Sequence, residues 1–148
     1  LEAALAESLI DRYLRPQPRV ELGRRLAGQA HAAADISDGL VADLGHIARA
    51  SRVAATLEVP RVPLSPAGCA ALEGDSALMD TVLTGGDDYE LVFTAPPEAA
   101  SPLSRLADEV GVALTCVGSV AGENGARVRV VDAAGREMAI AETGYRHF

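Results

Sequence analysis

Asp35-Ile36-Ser37-Asp38-Gly39 gathers two carboxylates and a hydroxyl where an apolar run meets a turn and a periodic helix pattern follows. Two chemistries fit these residue types. In one, Ser or Asp ahead of a helix caps it, because a side-chain oxygen accepts from free N–H groups and the negative charge suits the helix dipole. In the other, paired carboxylates beside exposed helix N–H groups take Mg²⁺ at one end and phosphate oxygens at the other. The two readings are compatible. An EF-hand is excluded, since the glycine falls one residue early and no Glu closes a loop of about 12 residues.

Thr84-Gly85-Gly86-Asp87-Asp88-Tyr89-Glu90-Leu91 is the second candidate. A Gly-Gly turn with an acidic rim is ordinary in solvated loops, but Asp87, Asp88 and Glu90 repel one another at neutral pH. Such clustering is most easily tolerated where a cation or a donor-rich ligand compensates it. The third is Gly144-Tyr145-Arg146-His147-Phe148, which holds two of the chain's aromatics. There Tyr145 either closes a core or stacks on a planar ligand ring.

The elements that must position these residues follow from periodicity. Leu1, Leu5, Leu9 and Tyr13 form one apolar stripe of an amphipathic helix that Pro16 and Pro18 stop. Val20, Leu22 and Leu26 start a second helix, and 32–36 reads as a short buried strand. Leu40, Val41, Leu44, Ile47 and Ala48 make a third helix, so the acidic turn lies between a strand and a helix. A strand is expected at 53–59, short helices at 67–72 and 76–83, a strand at 89–95, a helix at 97–110, and strands at 114–120 and 127–131. That alternation predicts a layered α/β domain. No repeat or internal linker divides it.

Composition narrows the chemistry. The 148 residues, 49% hydrophobic, suffice for one compact domain. All 13 basic residues are Arg, which removes Schiff-base lysine chemistry and the Walker A loop. A formal charge of −8 argues against a nucleic-acid module. Cys69 and Cys116 form no CxxC pair and read as free core thiols, with no disulfide or zinc site signalled. His31, among small apolar residues, reads as buried structure, and His31, His46 and His147 lack metalloprotease spacing. No apolar run reaches the ~18 residues of a membrane span, and the acidic start has no basic leader, so a soluble, cytoplasmic protein is expected.

The ordered segments AAADISDGLVADLGHIARAS, LTGGDDYELVFTAP, LTCVGSV and GYRHF, preceded by RYLRPQPRVELGRRLA, resemble the C-terminal half of thiamine-monophosphate kinase. The resemblance covers nearly the whole chain. It implies an α/β (α+β) domain like the C-terminal domain of aminoimidazole ribonucleotide synthetase, a mixed sheet flanked by helices. It also implies an N-terminal ATP-binding domain that these residues do not include, and a homodimeric full-length enzyme. The implied reaction is ATP-dependent phosphorylation of thiamine monophosphate to thiamine diphosphate.

By the same resemblance Asp35 and Asp38 bind Mg²⁺, Ser37 touches ATP, and Asp87 and Tyr145 contact the thiamine substrate; no residue is assigned covalent catalysis. A carboxylate suits cationic thiazolium, and an aromatic face suits a flat ring. The family usually has Glu where Asp87 stands, and the missing methylene shortens its reach. Two alternatives stand beside this reading: another ATP-using synthetase of the same superfamily, and a domain that only binds a ligand.

Overall fold

The computed structural model of the chain describes residues 1–122 and 126–140. Six α-helices and five short strands are formed by the described residues: α1 (Ala3–Leu14), α2 (Val20–Leu26), β1 (Ala32–Asp35), α3 (Leu40–Ser51), β2 (Ala54–Glu58), α4 (Pro66–Gly74), α5 (Leu78–Thr84), β3 (Leu91–Thr94), α6 (Ala100–Val110), β4 (Gly118–Ala121) and β5 (Val128–Val131). The strands divide into two sheets. β1 pairs antiparallel with β3, while β2 lies between an antiparallel β4 and a parallel β5. The expected mixed sheet is therefore the three-stranded one, and the chemistry-bearing turn follows the separate two-stranded ladder.

α3 joins the two sheets. Its apolar positions Leu40, Val41, Leu44, Ile47 and Ala48 are all buried and pack with Ala55 and Leu57 of β2, Val92 of β3, Val130 of β5 and Leu83 of α5. Burying a side chain such as Leu57 or Leu83 completely stabilises the fold by about 1.5–3 kcal/mol before entropy is counted. The helix ends at Arg52, which turns left-handed at φ 56° and donates its N–H to the carbonyls of Ala48 and Arg49. A second core joins Leu22 and Leu26 of α2 to Leu106 of α6. α4 starts on a proline behind Ser65, whose Oγ accepts from the N–H of Gly68 at 3.0 Å.

Several expectations change. The stripe Leu1, Leu5, Leu9 and Tyr13 does lie on a helix, but no residue of α1 is buried and Tyr13 is 65% exposed. The second core is closed by α2 and α6, while α1 lies against α4 and along the stripe only Leu5 is half-buried. Cys69 and Cys116, expected in the core, are both exposed, as is His31. α4 buries only Ala67, which leaves Cys69 on its outer side. The strand expected from Leu114 pairs only from Gly118, because Val112 and Leu114 are drawn instead onto the Leu22–Leu26–Leu106 cluster. Tyr89, expected to open a strand, has φ 50° and belongs to the loop before β3.

Candidate functional site

β1 ends on Asp35, and the backbone then runs alongside the loop that precedes β3. The N–H of Ile36 donates to the carbonyl of Glu90 at 2.9 Å, the N–H of Tyr89 to Ile36 at 2.9 Å, and the N–H of Asp87 to Ser37 at 3.0 Å. The β1–β3 ladder thus continues beyond its regular part and brings the two acidic loops together. Each loop gives the other a glycine. A Cβ on Gly86 would stand 2.0 Å from the Ser37 oxygen, and one on Gly39 would stand 2.5 Å from the Thr84 oxygen. Gly39 also sits at φ 126°, a conformation that L side chains rarely adopt.

The cap expected from Ser37 or Asp38 is not made by either. Gly39 is the N-cap of α3 and contributes no side-chain bond. Asp43, inside the first turns of α3 and 5% exposed, reaches back instead. Its Oδ2 accepts from the N–H groups of Ser37, Asp38 and Gly39 at 3.1, 3.0 and 3.1 Å. These amides were expected to be open to phosphate oxygens, and an internal carboxylate holds them. Sequence reading missed Asp43, although an acid four residues after the turn glycine resembles the reach-back acid of a capping box.

The carboxylates of Asp35 and Asp38 make no hydrogen bond to another described residue; Asp35 is exposed and Asp38 half-buried. Asp38 faces His46, with Oδ2 and Nε2 4.0 Å apart, and Arg49 lies 2.9 Å from the His46 Nδ1. Ligand atoms of Asp38, Asp43 and His46 lie within 4.8 Å of one another. His46 was given no role from the sequence, and its helical spacing from the turn was the available signal. Hard carboxylate oxygens that no described donor hydrogen-bonds fit Mg²⁺ in donor chemistry. Asp38 and His46 also stand on the wall of a cleft of about 500 Å³ that Arg49, Arg127, Glu137 and Met138 help to line.

Asp87 is exposed at φ 66°, in the left-handed region that Asp enters more readily than Glu. That conformation gives a backbone reason for Asp at a position where Glu was the expected residue. The Tyr89 hydroxyl donates to Asp87 Oδ1 at 3.3 Å. The Asp87 charge, then that hydrogen bond, holds the Tyr89 phenol above its ordinary pKa.

The crowded acids are partly compensated by the chain itself. Glu90 receives two bonds from Arg19, 2.8 Å from Nε and 2.7 Å from Nη2, and a further one from Arg12 Nη2. Arg12 comes from α1 and Arg19 from just before α2, so this cluster fastens the N-terminal segment to the site loop. Glu90 is 78 residues from Arg12 and 71 from Arg19, which left no local signal in the sequence. Because Glu90 is 38% exposed, replacing it with Gln is expected to cost about 1 kcal/mol or less. A shift of that size in the urea midpoint, shrinking in high salt, would verify it.

Among the described residues Asp88 has no such partner. Partial desolvation, then the charge of Glu90, raises its carboxyl pKa, with Arg12 opposing. A raised folded-state value favours the protonated form, so this contribution is present at acid pH and is lost as pH rises through the folded pKa. Asp88→Asn should accordingly raise the melting temperature at neutral pH, with the gain fading below the ordinary carboxylate range. A gain that persists unchanged in acid would refute this account of the loop.

Residues 4–131 match the family described as AIR synthase related protein, C-terminal domain, and the chain belongs to that family. It is similar to the thiamine-monophosphate kinase of Escherichia coli (strain K12), with 37% identity over 147 residues, covering 99% of this chain and 44% of the relative. A crystal structure of thiamine-monophosphate kinase from Stenotrophomonas maltophilia K279a superposes with a TM-score of 0.81 at 46% identity, over 93% of this chain and 42% of that one. Another structure, described as AaThiL complexed with AMPPCP and TMP, gives 0.78 at 33% identity, over 100% and 43%. The chain spans less than half the length of each.

Proposed function

We propose that this chain is the C-terminal substrate- and nucleotide-site domain of a thiamine-monophosphate kinase, completed by an N-terminal ATP-binding domain. In the reaction a phosphate oxygen of thiamine monophosphate attacks the γ-phosphorus of ATP. One P–O bond forms as the bond to the β-phosphate oxygen breaks, giving thiamine diphosphate and ADP. Such transfer depends mainly on in-line positioning and charge neutralisation, which suits a site of acids and glycines with no covalent nucleophile assigned.

The observation that carries this reading is the pairing of the two loops through Asp87 N–Ser37 O and Tyr89 N–Ile36 O. It sets the acids proposed for metal beside the acid proposed for the thiamine substrate. Asp35 and Asp38 would hold Mg²⁺, whose chemistry when bound is neutralisation of phosphate oxygens. Ser37 is assigned to ATP, and Asp87, with its carboxylate oriented by Tyr89, to the thiamine cation. Tyr145 lies outside the described residues and keeps its proposed role in ring stacking. The relatives' names and the AMPPCP and TMP of one solved neighbour support the substrates. A homodimer is the assembly the resemblance implies.

Thermal-shift titration of the protein with its N-terminal domain tests the reading. Thiamine monophosphate should raise the melting temperature, and more so with Mg²⁺ and a non-hydrolysable ATP analogue; no shift with any combination would defeat it. The 148 residues alone are expected to give no turnover, since phosphoryl transfer tolerates little misplacement. Tyr145→Ala should weaken thiamine-monophosphate binding by about 1 kcal/mol and leave apparent ATP affinity unchanged.

A further inference from the structure

Successive backbone N–H groups that converge make a concave cation-like nest, and at a helix N-terminus the dipole adds to it, so such places commonly bind an anion from outside. Here the amides of Ser37, Asp38 and Gly39 converge on one oxygen at 3.0–3.1 Å, and α3 begins at the next residue. The anion is the chain's own Asp43, 5% exposed. Three donors on one buried carboxylate oxygen make a strong, directional set, because each bond is charge-assisted.

This arrangement has two consequences for the turn. A phosphate oxygen cannot enter the nest while Asp43 fills it. With three N–H groups drawn inward, the other polar groups of the turn are left for outside partners. The Ser37 carbonyl accepts from Asp87, and the Asp38 carboxylate lies half-exposed toward His46. We propose that Asp43 is a positioning residue: by neutralising the nest it makes the Asp35–Gly39 turn a seat for a divalent cation rather than for a phosphate oxygen, and fixes the direction of Asp38. This rests on the metal role given to the turn under the proposed function. Asp43 acts through the loop amides.

Asp43→Asn and Asp43→Ala, made in the protein with its N-terminal domain, separate this role from a merely structural one. Mn²⁺ binding is measured by calorimetry with a non-hydrolysable ATP analogue, and deuterium uptake is followed for the peptide spanning the turn. Asp43→Asn should weaken Mn²⁺ binding about 10-fold or more, the scale for groups that orient metal ligands. Uptake at the turn should rise, and the KM for thiamine monophosphate should stay within about twofold of wild type while the Mg²⁺ requirement climbs. Added formate should partly restore Mn²⁺ binding to Asp43→Ala by refilling the nest.

If Asp43→Ala fails to fold, the Asn variant, which keeps the shape and one acceptor, decides alone. Unchanged Mn²⁺ affinity in a folded Asp43→Asn protein would overturn the proposal, as would a turn that stays protected from exchange. Wild-type protein that binds Mn²⁺ but transfers no phosphoryl group would defeat the kinase reading and leave the Asp43 comparison valid. Wild-type protein that binds no Mn²⁺ would overturn both.

Discussion

Gly86→Ala should destabilise the protein by about 3 kcal/mol or more, the upper range for forcing a methyl into a packed place. The added Cβ would stand 2.0 Å from the Ser37 carbonyl oxygen and 3.2 Å from the Asp38 Cα, and these are backbone atoms that no side-chain rotation can clear. Relief requires the loops to separate, which stretches the Asp87 N–Ser37 O bond of 3.0 Å. Out of a total stability of about 5–15 kcal/mol, a loss of that size is large. Gly74→Ala is the natural control, because nothing lies within 4 Å of its added Cβ and its φ is not in the left-handed region. Urea midpoints of the two variants supply the test. A Gly86→Ala protein as stable as Gly74→Ala would mean that the acidic loops do not touch.

Asp38→Asn should have the largest effect on activity with the least on the fold. Asp38 donates its backbone N–H to Asp43, which the substitution retains, and its side chain caps no described helix amide. Stability should therefore stay within about 0.5 kcal/mol, as for surface changes away from special features. The amide keeps the size of the carboxylate but loses the negative charge that a hard cation prefers. In the protein with its N-terminal domain, kcat/KM should fall about 100-fold, equivalent to about 2.7 kcal/mol of barrier, and excess Mg²⁺ should recover part of the loss. Melting curves and a Mg²⁺ titration of the rate check the two halves separately. An unchanged rate at every Mg²⁺ concentration would remove Asp38 from the metal site.

Local periodicity made α3 and α6 legible, because their apolar residues recur at three and four and face real cores. The turn Asp35–Gly39 could be placed between strand and helix for the same reason. What the sequence concealed was non-local. The stripe on α1 predicts a helix but not what covers it, and Tyr13 lies open. Cys69 and Cys116 are apolar enough for a core, yet their exposure depends on which face of each segment its neighbours take. The Arg12–Glu90–Arg19 cluster and the reciprocal fit of Gly39 and Gly86 join residues far apart in the chain, where no short pattern records them. Asp43 lay between these extremes. Its spacing from Gly39 was visible, but only the geometry reveals three amides on one oxygen.

The most direct measurement is the product formed by the protein together with its N-terminal domain, given ATP, Mg²⁺ and thiamine monophosphate. Chromatography should show thiamine diphosphate and ADP appearing in equal amounts, with both lost on removal of Mg²⁺ by chelation. ADP release that is independent of thiamine monophosphate, or the absence of thiamine diphosphate from a folded, metal-binding protein, would contradict the account.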